Sequence, residues 1–99
     1  MACGLTVIAS FKGKFAQAVS AGECPKGFPC EVLRSAQRKL AALASATVLA
    51  DLRVPPGNRL EALTGDRSGQ HSIRVNDQWR ICFRWADGRA EDVEIVDYH

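Results

Sequence analysis

Trp79-Arg80-Ile81-Cys82-Phe83-Arg84-Trp85 alternates large apolar side chains with arginine and cysteine. A period of two marks a strand with one face on a core and the other facing outward. Asp87-Gly88 follows as a turn, and Val93-Glu94-Ile95-Val96 resumes the alternation. Residues paired across two antiparallel strands must share a face. A two-residue Asp87-Gly88 loop would set Val93 and Ile95 beside Arg80, Cys82 and Arg84, which is the wrong face. A loop of odd length, with Gly88 left-handed, is therefore expected, because it puts Val93 and Ile95 with Ile81 and Phe83. The opposite face then carries Arg80 and Arg84 together with Asp92, Glu94, Val96 and Tyr98.

Upstream of this hairpin, His71 to Asn76 reads as a strand with Ile73 and Val75 pointing one way, joined through the turn Asn76-Asp77-Gln78. His71 is in phase with Ile73 and Val75, so a satisfied core or sheet-edge histidine is expected. Trp79 and Trp85 belong to the apolar stripe and are expected in the core. Arg59 to Leu63 is a further candidate strand, and Gly65-Asp66-Arg67-Ser68-Gly69 its turn. Pro55-Pro56-Gly57 separates this period-two half from a helical one. From Pro29 to about Ala46, Val32, Leu33, Ala36, Leu40 and Leu43 form one helical stripe, with Arg34 and Arg38 on the opposite, solvated face. Thr47 to Leu52 reads as another short helical turn. Nearer the start, Leu5-Thr6-Val7-Ile8 is a β-prone run, and Ser10 is a plausible N-cap for a helix carrying Phe11, Phe15 and Val19, closed by Gly22. The order of strand, two helices and antiparallel strands predicts an α+β domain with helices on one face of a curved sheet.

Ninety-nine residues, 46% of them hydrophobic, suit one domain spanning 1–99. No apolar run is long enough for a membrane span, and Met1-Ala2-Cys3-Gly4 lacks the features of a secretory signal, so a soluble cytoplasmic protein is expected. Cys3, Cys24, Cys30 and Cys82 are too scattered for a zinc framework; no metal is expected. Cys24 and Cys30 can meet across Pro25-Lys26-Gly27-Phe28-Pro29, but a reducing cytoplasm favours free thiols. The net charge is +2, unevenly spread. Residues 1–50 carry six Lys+Arg against two Asp+Glu; residues 51–99 carry seven Arg, no Lys and nine Asp+Glu. Arginine offers a planar, permanently charged fork that fits phosphate, so this second half suits a phosphate-binding surface as well as an ordinary exposed strand.

Asn58-Arg59-Leu60-Glu61-Ala62-Leu63, Gly65-Asp66-Arg67, Ser72-Ile73-Arg74, Gln78-Trp79-Arg80-Ile81-Cys82-Phe83 and Val93-Glu94-Ile95-Val96-Asp97-Tyr98-His99 resemble, in order, the pattern of HigB toxins of the RelE-like superfamily. Ile8-Ala9-Ser10-Phe11-Lys12-Gly13-Lys14 also looks like that family's opening strand and helix, with less specificity. The resemblance implies a RelE-like fold and the toxin half of a type II toxin–antitoxin pair. It further implies metal-independent cleavage of translated mRNA in the ribosomal A site without a cofactor. The implied partners are the ribosome, mRNA and a helix-turn-helix, HigA-like antitoxin that links the toxin to operator DNA.

Metal-free RNA cleavage requires deprotonation of a 2′-hydroxyl, stabilisation of phosphate charge and protonation of the leaving 5′-oxygen. Arg80 resembles the family arginine held toward the scissile phosphate. His99 can act as base or acid near neutrality. Asp97 can orient His99 or accept a proton, and Tyr98 can stack on a base or donate from its hydroxyl. Arg67, Arg74 and Arg84 are expected to contact RNA, with Arg67 alternatively paired to Asp66 or another carboxylate. Glu61 is a candidate general base. Many relatives carry lysine at the place of Thr64, and some carry histidine at the place of Glu61, so a milder toxin is expected.

In an unbroken strand Asp97 and His99 point away from Arg80's face, so the chain is expected to leave strand geometry, or the sheet to end, near Asp97. Two alternatives stand beside the nuclease. One is a gyrase inhibitor of the ParE type, against which the terminal Asp97-Tyr98-His99 argues. The other is a weak or inactive toxin-like subunit acting with its antitoxin on DNA, which Thr64 and Glu61 keep open.

Overall fold

The computed structural model describes residues 8–13, 15–54, 56–86 and 88–97. Four strands, β1 (Glu61–Ala62), β2 (Gln70–Arg74), β3 (Trp79–Ala86) and β4 (Arg89–Asp97), form an antiparallel sheet in the order β1-β2-β3-β4. The helices α1 (Phe15–Ser20) and α2 (Leu33–Ser45) precede them, with short 3-10 turns at Cys30–Val32, Leu49–Arg53 and Gly65–Arg67. This is the α+β arrangement expected from the change of period. The residues of Leu5-Thr6-Val7 lie outside the described residues; Ile8 and Phe11 make isolated parallel bridges to Ala90 and Val93 of β4.

The core lies between the helices and one sheet face. Val32, Ala36, Leu40 and Leu43 are buried there as the helical stripe predicted, against Ile73, Ile81, Phe83, Val93 and Ile95. Trp79 is buried and Trp85 packs at the margin, as expected for the apolar stripe. Phe28 joins Phe15 and Trp79 in an aromatic cluster, with ring centroids 5.0–5.7 Å apart. Fully burying a side chain such as Phe83, which is wholly inaccessible, contributes roughly 1.5–3 kcal/mol.

Three expectations are corrected. The β3–β4 turn is even, not odd: Ala86 pairs with Arg89 across two residues. Parity is instead restored by a bulge, where Asp92 and Val93 together face Phe83, so that Cys82 pairs with Glu94 and Ile81 with Ile95. Asp92 takes up the extra residue with φ 51°. Ser10, expected as an N-cap, lies beside this bulge. Its Oγ accepts the Asp92 N–H at 2.9 Å and its carbonyl accepts the Val93 N–H at 3.0 Å. The chain there is extended, and α1 begins only at Phe15, because the bulge offers unpaired backbone groups that a neighbouring segment can satisfy. Finally, Cys24 and Cys30 are joined as a disulfide rather than free. The Pro- and Gly-containing loop brings their Cα atoms to 5.7 Å, within bonding range, while it seats Phe28 in the core.

Candidate active site

The sheet face away from the helices is built by strand alternation. Across the four strands Glu61, Ser72, Cys82 and Glu94 are register partners, and the next row sets Arg74 beside Arg80 and Arg80 beside Val96. The arginines thus rise from a floor that includes the buried Ser72 and Cys82. Burial pushes the Cys82 thiol up, an effect that outweighs the opposing field of Arg67 and Arg80. A thiol held neutral in this way is a poor nucleophile.

Arg80 is the most enclosed cation of this face, with its side chain 11% exposed. Its Nε donates to Ser72 Oγ at 3.0 Å, and its Nη2 donates to the Arg59 carbonyl at 2.8 Å and faces Glu61 Oε1 at 3.0 Å. Arg59 presents that carbonyl from a left-handed backbone, φ 47°, a conformation costing about 1 kcal/mol for a residue with a Cβ. Three acceptors on two strands and a loop therefore fix the guanidinium plane. Glu61, the candidate general base, is its ion-pair partner and is 56% exposed.

Arg67 projects from the Gly65–Arg67 turn and its Nη1 reaches both Gln70 Oε1 and Glu94 Oε1 at 3.2 Å. Of the alternatives weighed for it, the carboxylate partner is Glu94, not the adjacent Asp66. Arg84 stands 3.8 Å from Asp92, and Arg74 pairs with Asp77 in the following turn. Each arginine expected to contact RNA is thus held by an acid that its own fold supplies. Glu61, Ala62, Leu63, Thr64 and Arg67 line a concavity of about 220 Å³ at this edge, so Thr64, where relatives carry lysine, borders the same depression as Glu61.

β4 stays paired through Asp97, which is the register partner of Trp79. The departure from strand geometry is therefore not seen as far as Asp97. That position has the core-face parity, as expected, and its carboxylate accepts a hydrogen bond from Gln78 Nε2 at 3.1 Å. Tyr98 and His99 lie outside the described residues. His71 occupies the expected core-side position and stacks on Phe83 with centroids 6.1 Å apart, but among the described residues its buried Nδ1 has no hydrogen-bond partner, so the expected satisfaction is not found there. Sequence reasoning missed Ser72, Gln70 and the Arg59 carbonyl as holders of the arginines. The β2–β3 parity alone would have put Gln70 and Ser72 on this face.

A family model for the RelE-like toxin of the type II toxin-antitoxin system HigB matches residues 9–99. The chain belongs to the HigB family. Its membership bears out the expected role as toxin of a type II toxin–antitoxin system, with the antitoxin partner that such a system implies. Toxin HigB-1 of Vibrio cholerae is 48% identical over 62 residues, 63% of this chain and 65% of that protein's length. Endoribonuclease HigB of Proteus vulgaris is 32% identical over 93 residues, 94% of this chain and 100% of that protein. An uncharacterized protein of Haemophilus influenzae is 29% identical over 74 residues, 75% of this chain and 73% of its own length. Among the described residues, no helix of this HigB-family chain is long and apolar enough to cross a membrane.

Proposed function

We propose that this HigB-family toxin is an endoribonuclease that cuts translated mRNA on the ribosome in the cytoplasm, without a metal ion, and is silenced by a helix-turn-helix antitoxin that binds operator DNA. The observation that carries the reading is Arg80, an almost enclosed guanidinium fixed by Ser72, Glu61 and the Arg59 carbonyl on an open sheet face. A donor already oriented before substrate arrives needs no reorganisation as charge builds on a phosphate. Whole-chain similarity to the Proteus endoribonuclease supports the same activity.

In this mechanism Arg80 binds a non-bridging oxygen of the scissile phosphate and holds its charge as the 2′-oxygen attacks. His99 and Asp97 move the protons, and Tyr98 stacks on or donates to the neighbouring nucleotide. Arg67, Arg74 and Arg84 hold flanking phosphates by exchanging their carboxylate partners for RNA. Glu61 chiefly orients Arg80 through their ion pair; as a general base it would have to release that partner first.

The exchange of partners also favours a second reading, a toxin-like subunit of weak activity that works with its antitoxin on DNA. Arg67, Arg74 and Arg84 must each give up an acid before engaging RNA, and Thr64 adds no cation to the depression beside Glu61. Inducing the toxin without its antitoxin and mapping mRNA 5′ ends separates the two. New ends inside translated codons, absent with Arg80→Ala and His99→Ala, support the nuclease; intact mRNA in the wild type supports the subunit.

A further inference from the structure

One turn face of α2, at Ser35, Arg38, Lys39 and Ala42, forms one wall of a cavity of about 500 Å³ whose other wall is Asn58 and Val75. The spacing i, i+3, i+4, i+7 places these four side chains together. Asn58 is wholly buried, and its Nδ2 donates to the Leu52 and Val54 carbonyls at 3.1 and 3.4 Å. That anchoring leaves Asn58 Oδ1 to accept a hydrogen bond from Lys39 Nζ. The ammonium is thus positioned by a neutral group, and among the described residues neither Lys39 nor Arg38 has a carboxylate in ion-pair range. Arg38 is exposed and its Nη2 donates to Ser35 Oγ at 3.5 Å. Burial chiefly, and then the fields of Arg38 and Arg74, hold the Lys39 pKa below its usual value. Arg74 completes the trio. Its partner Asp77 has a side chain 97% exposed, so that pair is screened by solvent and easily exchanged.

Position decides the kind of anion. Arg74, the last residue of β2, is the register partner of Arg80, and the next residue, Val75, lies in the cavity wall, so the cavity adjoins the end of the arginine row. We propose that Arg38, Lys39 and Arg74 form a second phosphodiester site that holds the RNA strand a few nucleotides from the phosphate at Arg80. The inference rests on the RNA-cleaving reading. Neighbouring cations lose like-charge repulsion when an anion binds between them, and the part-buried Lys39 gains most.

The test is binding of a labelled 2′-O-methyl oligoribonucleotide about ten nucleotides long, followed by fluorescence anisotropy over about 50–200 mM salt. The 2′-O-methyl groups prevent cleavage, so binding is read apart from chemistry. Replacing Arg38 and Lys39 together by glutamine should raise Kd about tenfold, as expected when two solvent-screened cation–phosphate contacts are removed. The slope of log affinity against log salt should become shallower by about 1.4, at roughly 0.7 per single-strand phosphate neutralised. Because Lys39 also holds Asn58, Arg38→Gln alone is the folding-safe companion; it should shift the slope by about 0.7 with an unchanged melting temperature. Equal Kd and slope in wild type and both variants overturn the inference, as does a wild type that binds vesicles of phosphatidylcholine and phosphatidylserine through these residues but not the oligonucleotide. Mapping of cut mRNA in the same strains keeps the two proposals separate. Cutting by a wild type that shows no such binding difference leaves the nuclease standing and removes the second site; loss of binding in the variants of a toxin that cuts nothing does the reverse.

Discussion

Arg80→Ala should cost far more stability than Glu61→Gln, although the two residues form one ion pair. Truncating Arg80 removes the donor to Ser72 Oγ, whose residue is wholly buried; a buried hydroxyl left without that donor costs about 1–3 kcal/mol. The Arg59 carbonyl and Glu61 belong to exposed residues and regain water, so each adds less than about 1 kcal/mol. The sum is roughly 2–3 kcal/mol, which for a chain of this size lowers the melting temperature by about 10–20 °C. Glu61→Gln keeps a carbonyl acceptor for Arg80 and loses only the partly solvated charge, so it should cost under about 1 kcal/mol. Catalytically, Glu61→Gln should slow mRNA cutting by less than about tenfold if Glu61 orients Arg80, against roughly 10²–10⁴ for loss of a general base. Thermal unfolding by circular dichroism and single-turnover cleavage on programmed ribosomes read both quantities. An Arg80→Ala protein melting within about 2 °C of wild type would refute the buried network, and a Glu61→Gln enzyme slowed a thousandfold would refute its positioning role.

Reducing the Cys24–Cys30 bond, or replacing both residues with serine, should lower stability by roughly 2 kcal/mol from the entropy of the short closed loop, seen as a drop in melting temperature with and without reductant; an unchanged melt would mean that the bond constrains nothing. The Asp51 carboxyl is held below its usual pKa, chiefly by the Thr47 and Val48 backbone N–H groups and then by the Thr47 hydroxyl. Its contribution is therefore complete above about pH 4 and lost as pH falls through the lowered folded value. Asp51→Asn should flatten the acid side of the stability curve and leave its shape near neutrality alone, which urea melts across pH will check. Asp92 occupies the left-handed bulge position, so Asp92→Gly should be tolerated, whereas β-branched Asp92→Val should destabilise by about 2 kcal/mol; equal melting of the two would argue against the bulge.

What the sequence determined by itself is everything set by local period. The alternation from Trp79 to Trp85 defined a strand and its two faces, the stripe from Val32 to Leu43 defined the main helix, and parity required Val93 and Ile95 to rejoin Ile81. Arg80's place on the outward face and the core-side parity of Asp97 followed from the same rule, and the ordered motifs up to His99 carried the family. Parity could not locate the compensating residue, because a turn of odd length and a bulge shift the register equally. The N-terminal segment chose the bulge, since Ser10 bonds the Asp92 and Val93 amides that it leaves free. Likewise the Cys24–Cys30 bond and the ties of Arg80 to Ser72, Glu61 and Arg59 depend on distances between segments. Tertiary packing alone decided which acid neutralises which arginine, because strand pairing and loop closure, not spacing along the chain, bring those charges within reach.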